Sequence, residues 1–347
     1  MDRVGKSVLL AGLFAAPWVL SPYDLSLVGR FLALALPSLG VMWVWGYAGV
    51  LSLGQGVFFG LGGYALAMHL KVVGLPGGEL PDFMVWNGLT TLPWWWAPFR
   101  SAFFSLLMVV LLPAASATAL GFLLFRRRVT GVYVSLITQA LALAFSTLLI
   151  SQQGLTGGFN GLTDFTTFLG ADVTSADFHR VLYWVTAALV ASVVLGTRWV
   201  LGTDFGRLLL AMREAENRVR FLGYDPAPCK VAAFATSAVL AGAGGALFTL
   251  HVGVVSPAQV GVVPSIEMVI WAALGGRTNP VGVVAATVVG NLVKDRISSA
   301  LPDAWLYLAG LLFIATVLAG PALGRWRTRL RGRPTSLRPE QEVAYVR

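Results

Sequence analysis

The chain has 347 residues, 56% hydrophobic and only 12% charged, with a mean hydropathy of +0.75. Soluble domains carry about 25% charged residues, so the composition excludes a water-soluble enzyme, and its apolar richness excludes disorder. A single cysteine, Cys229, leaves no intramolecular disulfide, and His69, His179 and His251 match no metal-ligand spacing, so neither a metal nor a cofactor is expected. The net charge of +9 reads, in a membrane protein, as a mark of orientation.

A bilayer crossing needs about 20 mostly apolar helical residues. Such runs occur at 7–21, 31–46, 50–70, 101–125, 131–151, 180–200, 231–252 and 305–323, with two shorter segments at 264–276 and 280–296. The first run follows Arg3 and Lys6 but lacks a small-x-small cleavage site near Ser21, so a retained helix is expected. Gly5-Lys6-Ser7 lacks the glycine and strand of a nucleotide-binding loop. The fold class is therefore all-α and polytopic, with about ten crossings or eight plus a re-entrant pair at 264–296. Basic residues gather at Arg126–Arg128, at Arg207–Lys230 and in the tail from Arg325, whereas the loops 71–100 and 151–180 carry acidic residues. The positive-inside rule then places both termini in the cytoplasm. Residues 1–324 form a single transmembrane domain and 325–347 a basic tail, read as lipid-facing rather than as a nucleic-acid arm.

Several segments stand out along the chain. Gly46–Gly56 joins two runs through glycines and sets Gln55 at the head of the second. Ser52, Gly56 and Gly60 recur every four residues, a small-residue ridge suited to close helix packing. Gln55 and, later, Gln139 are amides inside apolar runs, where an unpaired amide costs about 2–7 kcal/mol; together with Asn160 they are candidates for lining a translocation path. Trp94, Trp95 and Trp96 read as an interfacial belt. The glycine-rich stretch 154–162, which holds Asn160, reads as a surface turn or an external vestibule. From Thr203 a cytoplasmic helix is expected over 204–222. Leu208, Met212, Ala215, Val219 and Leu222 form its apolar stripe, and Arg213, Glu216, Asn217 and Arg220 its opposite face. Gly223 stops it, and Pro226 and Pro228 are expected to prevent its resumption. Such a helix either lies on lipid or docks on a cytoplasmic partner. Glu267 reads as a first-turn carboxylate favoured by the helix dipole.

These residues carry a family resemblance. The segments 46–67 (GYAGVLSLGQGVFFGLGGYALA), 155–162 (LTGGFNGL) and 206–248 resemble the permeases of branched-chain amino acid-type ABC importers, over about 30–320 of the chain. Within that family, 79–99 and 273–282 look like the urea permease branch, with Thr278-Asn279 standing where that branch has Gly-Thr. The resemblance implies an inner-membrane subunit that pairs with a second, homologous permease. Two cytoplasmic ATP-binding subunits would drive it and an external substrate-binding protein would deliver the solute. The helix 204–222 would be the coupling helix, meeting the ATPase through Leu208, Met212, Arg213, Glu216, Val219 and Arg220. The chain itself would be no enzyme, binding membrane lipid but no nucleic acid. Urea or a small amide is the first expectation for the solute, with branched-chain or other amino acids as the alternative. A stand-alone channel or secondary transporter is the reading from a different class, and it leaves the amphipathic helix without a purpose.

Overall fold

The computed structural model describes residues 3–75 and 79–300, with scattered residues between 305 and 315. The run expected at 305–323 lies mostly, and the tail 325–347 wholly, outside the described residues. Residues 1–296 form one unit and 297–347 a second.

The chain is helical almost throughout: α1 (Arg3–Val19), α2 (Pro22–Val41) running into a wide π-helical turn (Met42–Tyr47), α3 (Gln55–Val73), α4 (Asp82–Trp86), α5 (Ala102–Arg126), α6 (Val132–Ser151), α7 (Gln153–Thr156), α8 (Ala176–Gly202), α9 (Asp204–Phe221), α10 (Pro226–Val252), α11 (Val262–Gly275) and α12 (Pro280–Ala300). A two-residue hairpin, β1 (Thr167–Phe168) and β2 (Ala171–Asp172), precedes α8. Seven described helices are long and apolar enough to cross a membrane: Pro22–Tyr47, Gln55–Val73, Ala102–Arg126, Val132–Ser151, Ala176–Gly202, Pro226–Val252 and Pro257–Gly275. Each meets one of the expected runs. The remaining three of the ten expected crossings correspond to α1, at 17 residues, to α12, whose second half carries Lys294, Asp295 and Arg296, and to 305–323.

Two of the spans form the centre. The apolar windows of α3 and of α2 with its π turn are 83% and 78% buried, against 22%, 28% and 33% for α5, α8 and α6. Small residues make the centre possible. A Cβ on Gly62 would overlap the Gly242 backbone, one on Gly245 the Phe59 carbonyl, and one on Gly244 would crowd Pro37 and Ala33. Backbone against backbone, α10 thus seats against both α2 and α3, as membrane helices do when side chains leave room. The outer faces of α5 and α6 are apolar and open, with Phe103, Leu106, Phe122, Val132, Tyr133, Leu136 and Leu143 exposed. In an aqueous protein so wide an apolar surface would be destabilising; lipid tails, as apolar as leucine, set no such penalty on it.

Two expected boundaries move. The run at 50–70 does not begin as a helix: Gly49 has φ +74, and α3 starts only at Gln55. The prolines after Gly223 do not block a helix. Asp225 caps α10, its side chain accepting from the Ala227 N–H at 3.0 Å, and Pro226 occupies the first turn, where a missing N–H costs nothing.

Candidate functional site

The non-helical stretch Ala48–Gly54 is the first feature of the site. Backbone polar groups within a membrane protein must be satisfied inside the protein, and α6 supplies the partners. Ser135 Oγ donates to the Leu51 carbonyl at 2.8 Å, and the Leu53 N–H donates to Thr138 Oγ1 at 3.0 Å. The stretch leads to Gln55, which is fully buried. Its Nε2 donates to the carbonyl and to the hydroxyl of Ser237, both at 2.9 Å. Ser237 lies 11 residues beyond Pro226, the first residue of the 27-residue α10, hence about 16 Å along its axis. The first turn of α3 therefore sits deep inside the protein. Ser265 Oγ takes the Gly56 N–H at 3.0 Å, so a side chain of α11 satisfies one of the free amides there. The Gln55 Oε1 is enclosed and receives no hydrogen bond among the described residues.

The expected small-residue ridge meets the chain's own backbone. Ser52, Gly56 and Gly60 are all buried. A Cβ on Gly56 would strike the Val260 carbonyl, and one on Gly60 the Val260 side chain. The ridge thus receives the irregular segment that leads from Gly253, through the 3-10 turn Pro257–Gln259, into α11. Gln139 is half-buried beside the packed stripe Ser135–Thr138–Ala142–Ser146 of α6. The structure does not bring it to Gln55: the α6 residue on the Gly54 side is Thr138.

The basic end is the second feature. Arg128 and Thr130 share a cavity with Glu214, Glu216, Arg218 and Arg220 of α9, so two of the basic clusters lie at one end of the molecule. α9 is not one continuous helix. Ala215 has φ −153 and ψ 69, which breaks the expected stripe. Leu209, Met212 and Val219 are buried, Leu208 is half-buried and Leu222 is exposed. The polar face also departs from expectation, because it turns onto the protein. Arg213 Nη1 donates to the Gly46 carbonyl at 2.6 Å and pairs with Glu214. Glu216 accepts from Arg220 at 2.8 Å and from the buried Lys230 of α10 at 2.6 Å. Partial burial pushes the Glu216 carboxyl up, but the hydrogen bonds and charges of Lys230 and Arg220 outweigh it and hold its pKa below the ordinary value. Gly46 is crowded from the other side: a Cβ there would overlap the Arg277 carbonyl, and Tyr47 Oη donates to the Thr278 carbonyl at 3.0 Å. The turn between α11 and α12 therefore lies at the same end as α9. Glu267 is not in the first turn as expected, because α11 already begins at Val262; it pairs with Lys294 of α12, both carboxylate oxygens accepting at 2.7 Å, so an ion pair takes the place of the helix dipole, which fades beyond the first turn.

The opposite end is the third feature. Leu162 and Val255 exchange two backbone hydrogen bonds, pinning the glycine-rich loop to the chain that leaves α10. Asn160 is exposed and, with Lys71, Asp82, Trp86 and Asp164, lines a cavity of about 290 Å³. Sequence reasoning passed over Lys71, whose signal was a lone ammonium at the end of an apolar run facing an acidic loop.

A family model described as branched-chain amino acid transport system / permease component matches residues 25–317. The chain is 26% identical over 331 residues to the high-affinity branched-chain amino acid transport system permease protein LivM of Salmonella typhimurium, covering 89% of this chain and 72% of that protein. The Escherichia coli LivM matches with the same identity and coverage. The probable branched-chain amino acid transport permease protein LivM of Methanocaldococcus jannaschii is 29% identical over 157 residues, 44% of this chain and 45% of that protein. No solved structure matches the chain at a significant level.

Proposed function

Because the chain belongs to the family of branched-chain amino acid transport system permease components, we propose that it is the membrane subunit of an ATP-driven importer of branched-chain amino acids. The observation that carries this reading is the extent of the family match, which covers nearly the whole described protein. The named relatives are amino acid permeases, which favours an amino acid over urea or a small amide as solute. The urea reading retains only the segments 79–99 and 273–282.

In this reading the basic end is cytoplasmic, ten crossings thread the bilayer of a bacterial inner membrane, and the open faces of α5 and α6 meet lipid and a second, homologous permease. Two ATP-binding subunits engage α9, and an external binding protein delivers the solute. Two observations support α9 as the coupling helix. Phe221 and Leu222 stand exposed at its end, and an apolar groove beside them is lined by Phe205, Leu208, Val219 and Tyr224. The path passes the deep start of α3, where the Gln55 Oε1, without a hydrogen-bond partner among the described residues, offers an acceptor to water or to a passing ammonium. Gln139 and Asn160 extend that path along α6 and at the outer mouth.

The test is uptake by proteoliposomes holding the complete complex, supplied with radiolabelled L-leucine or urea, with and without internal ATP. ATP-dependent leucine uptake is the expected result. Urea uptake without leucine uptake restores the urea reading, and uptake of either without ATP favours a channel.

A further inference from the structure

The cavity at the outer end of α3 carries charges of both signs on a partly apolar floor. Lys71, in the last turn of α3, has a side chain only 9% exposed. Its Nζ lies 3.0 Å from Asp82 Oδ1 and donates to the Thr163 carbonyl at 3.1 Å. An ammonium has three donors; the Thr163 carbonyl takes one, and the Asp82 charge lies beside the group without accepting a hydrogen bond from it. Asp82 Oδ1 is enclosed and accepts no hydrogen bond from any described group, its partner being the Lys71 charge. The Asp82 side chain is nonetheless 44% exposed, and Asp164 stands exposed on the same rim. Phe83, Trp86 and Leu162 supply the apolar walls. The walls are pinned by the Leu162–Val255 backbone pair, and by a left-handed turn at Gly161 where a Cβ would overlap the Val255 carbonyl.

The signs select the ligand. A simple cation meets the Lys71 ammonium, and a simple anion meets Asp82 and Asp164. A neutral amide brings no charge to answer either half of the Lys71–Asp82 pair or the exposed Asp164. A small zwitterion with an aliphatic side chain answers all three features, and the cavity is near the lower bound of about 300 Å³ for small-molecule sites. We propose that this cavity is a receiving site for a free α-amino acid at the outer mouth of the permease. Lys71 takes the carboxylate, Asp82 and Asp164 take the ammonium, and Phe83 and Trp86 cover the side chain. The site rests on the amino acid import reading and deepens it, since it gives the permease itself a share in recognition.

The experiment places a cysteine at the rim. Cys229 is the chain's only cysteine, so C229S with Asn160→Cys gives this subunit one reporter for a small water-soluble maleimide in the complete complex, without binding protein. L-leucine at twice its Kd slows labelling about threefold by mass action. Isopentylamine, 4-methylpentanoate and urea at the same concentration do not. Lys71→Met abolishes the protection, and Asp164→Asn, an exposed change that does not threaten folding, weakens it. Equal protection by the amine or the acid alone overturns the site, as does protection only when the binding protein is added. Leucine uptake in the same vesicles without leucine protection also overturns the site but leaves the import reading intact. Urea uptake without leucine uptake overturns the import reading, and the site with it.

Discussion

The two ends of α3 are built on opposite principles. At its start, Gln55 is enclosed by Gly40 and Ser237, and the Cβ positions of Gly54 and Gly56 are filled by the Thr138 and Val260 carbonyls. Sixteen residues on, about 24 Å along the helix, Lys71 looks into a cavity of about 290 Å³. Polar groups at the start are neutral and close-packed, whereas those at the far end are charged and line an open cavity. One helix therefore joins a close-packed end to an open one. On the proposed path, a solute passing the packed end requires backbone and side chains to move apart, while the far end offers a cavity as it stands.

The sharpest way to break the comparison is to put bulk where backbones touch. Gly62→Val would drive a branched side chain into the Gly242 backbone. Overpacking of this kind costs about 1–3 kcal/mol and sometimes more, and no side chain is available to yield. Loss of monodisperse protein on size-exclusion chromatography is expected. Gly60→Leu meets only the Val260 side chain, so a folded protein with a lowered melting temperature and impaired uptake is expected. If both variants behave as wild type, the start of α3 is not close-packed.

A smaller effect is expected from the ion pairs at the basic end. Glu216→Gln leaves the buried Lys230 without a carboxylate. Breaking a fully buried pair costs about 3–5 kcal/mol, and the loss here should be smaller because the Glu216 side chain is 24% exposed. The sign of the pH effect comes from the lowered Glu216 pKa. Its contribution is present above the ordinary value of 4.5 and disappears as pH falls through the folded value. The wild-type melting temperature should fall on acidification below about 4.5 more steeply than that of Glu216→Gln; parallel curves would remove Glu216 from the account.

Gln55→Leu removes two donations to Ser237. The Ser237 carbonyl keeps its helical partner, so destabilisation of about 1 kcal/mol is expected. Uptake measured against melting temperature then tells whether Gln55 only binds helices or also serves the path. The smallest effect is expected from Arg213→Lys, which keeps the charge but loses the planar fork that spans the Gly46 carbonyl and Glu214. Folding should be unchanged, and the number of ATP molecules hydrolysed per solute imported should rise.

The spans were legible because apolar runs of about 20 residues are dictated by bilayer thickness alone. Features hidden from the sequence depend on partners distant in the chain. The late start of α3 is decided by Ser135 and Thr138, more than 80 residues away. The break at Ala215 leaves no mark in an otherwise regular apolar spacing. Asn160 was recognisable as a polar group in a glycine-rich loop, but Lys71 and Asp82 become neighbours of it only through the tertiary fold. The glycine ridge was visible as a pattern, while its partner, the irregular segment around Val260, has no periodicity to betray it.

The π-helical turn at Met42–Tyr47 has a consequence for the chain's tolerance of deletions. An α-helix advances about 100° per residue, and a π turn takes more residues for each revolution. The wide turn thus works as a phase adjuster, holding Gly46 under the Arg277 carbonyl and Tyr47 toward Thr278. Removing one residue between Met42 and Tyr47 would let the turn rewind to ordinary pitch, about five α-helical residues covering the arc that six cover now, so the downstream backbone keeps its phase; removing one from the regular part of α2 would rotate that backbone by about 100°, swinging the glycine away and a side chain into its place. The residue count is therefore constrained tightly in the regular part of α2 and loosely within the turn itself.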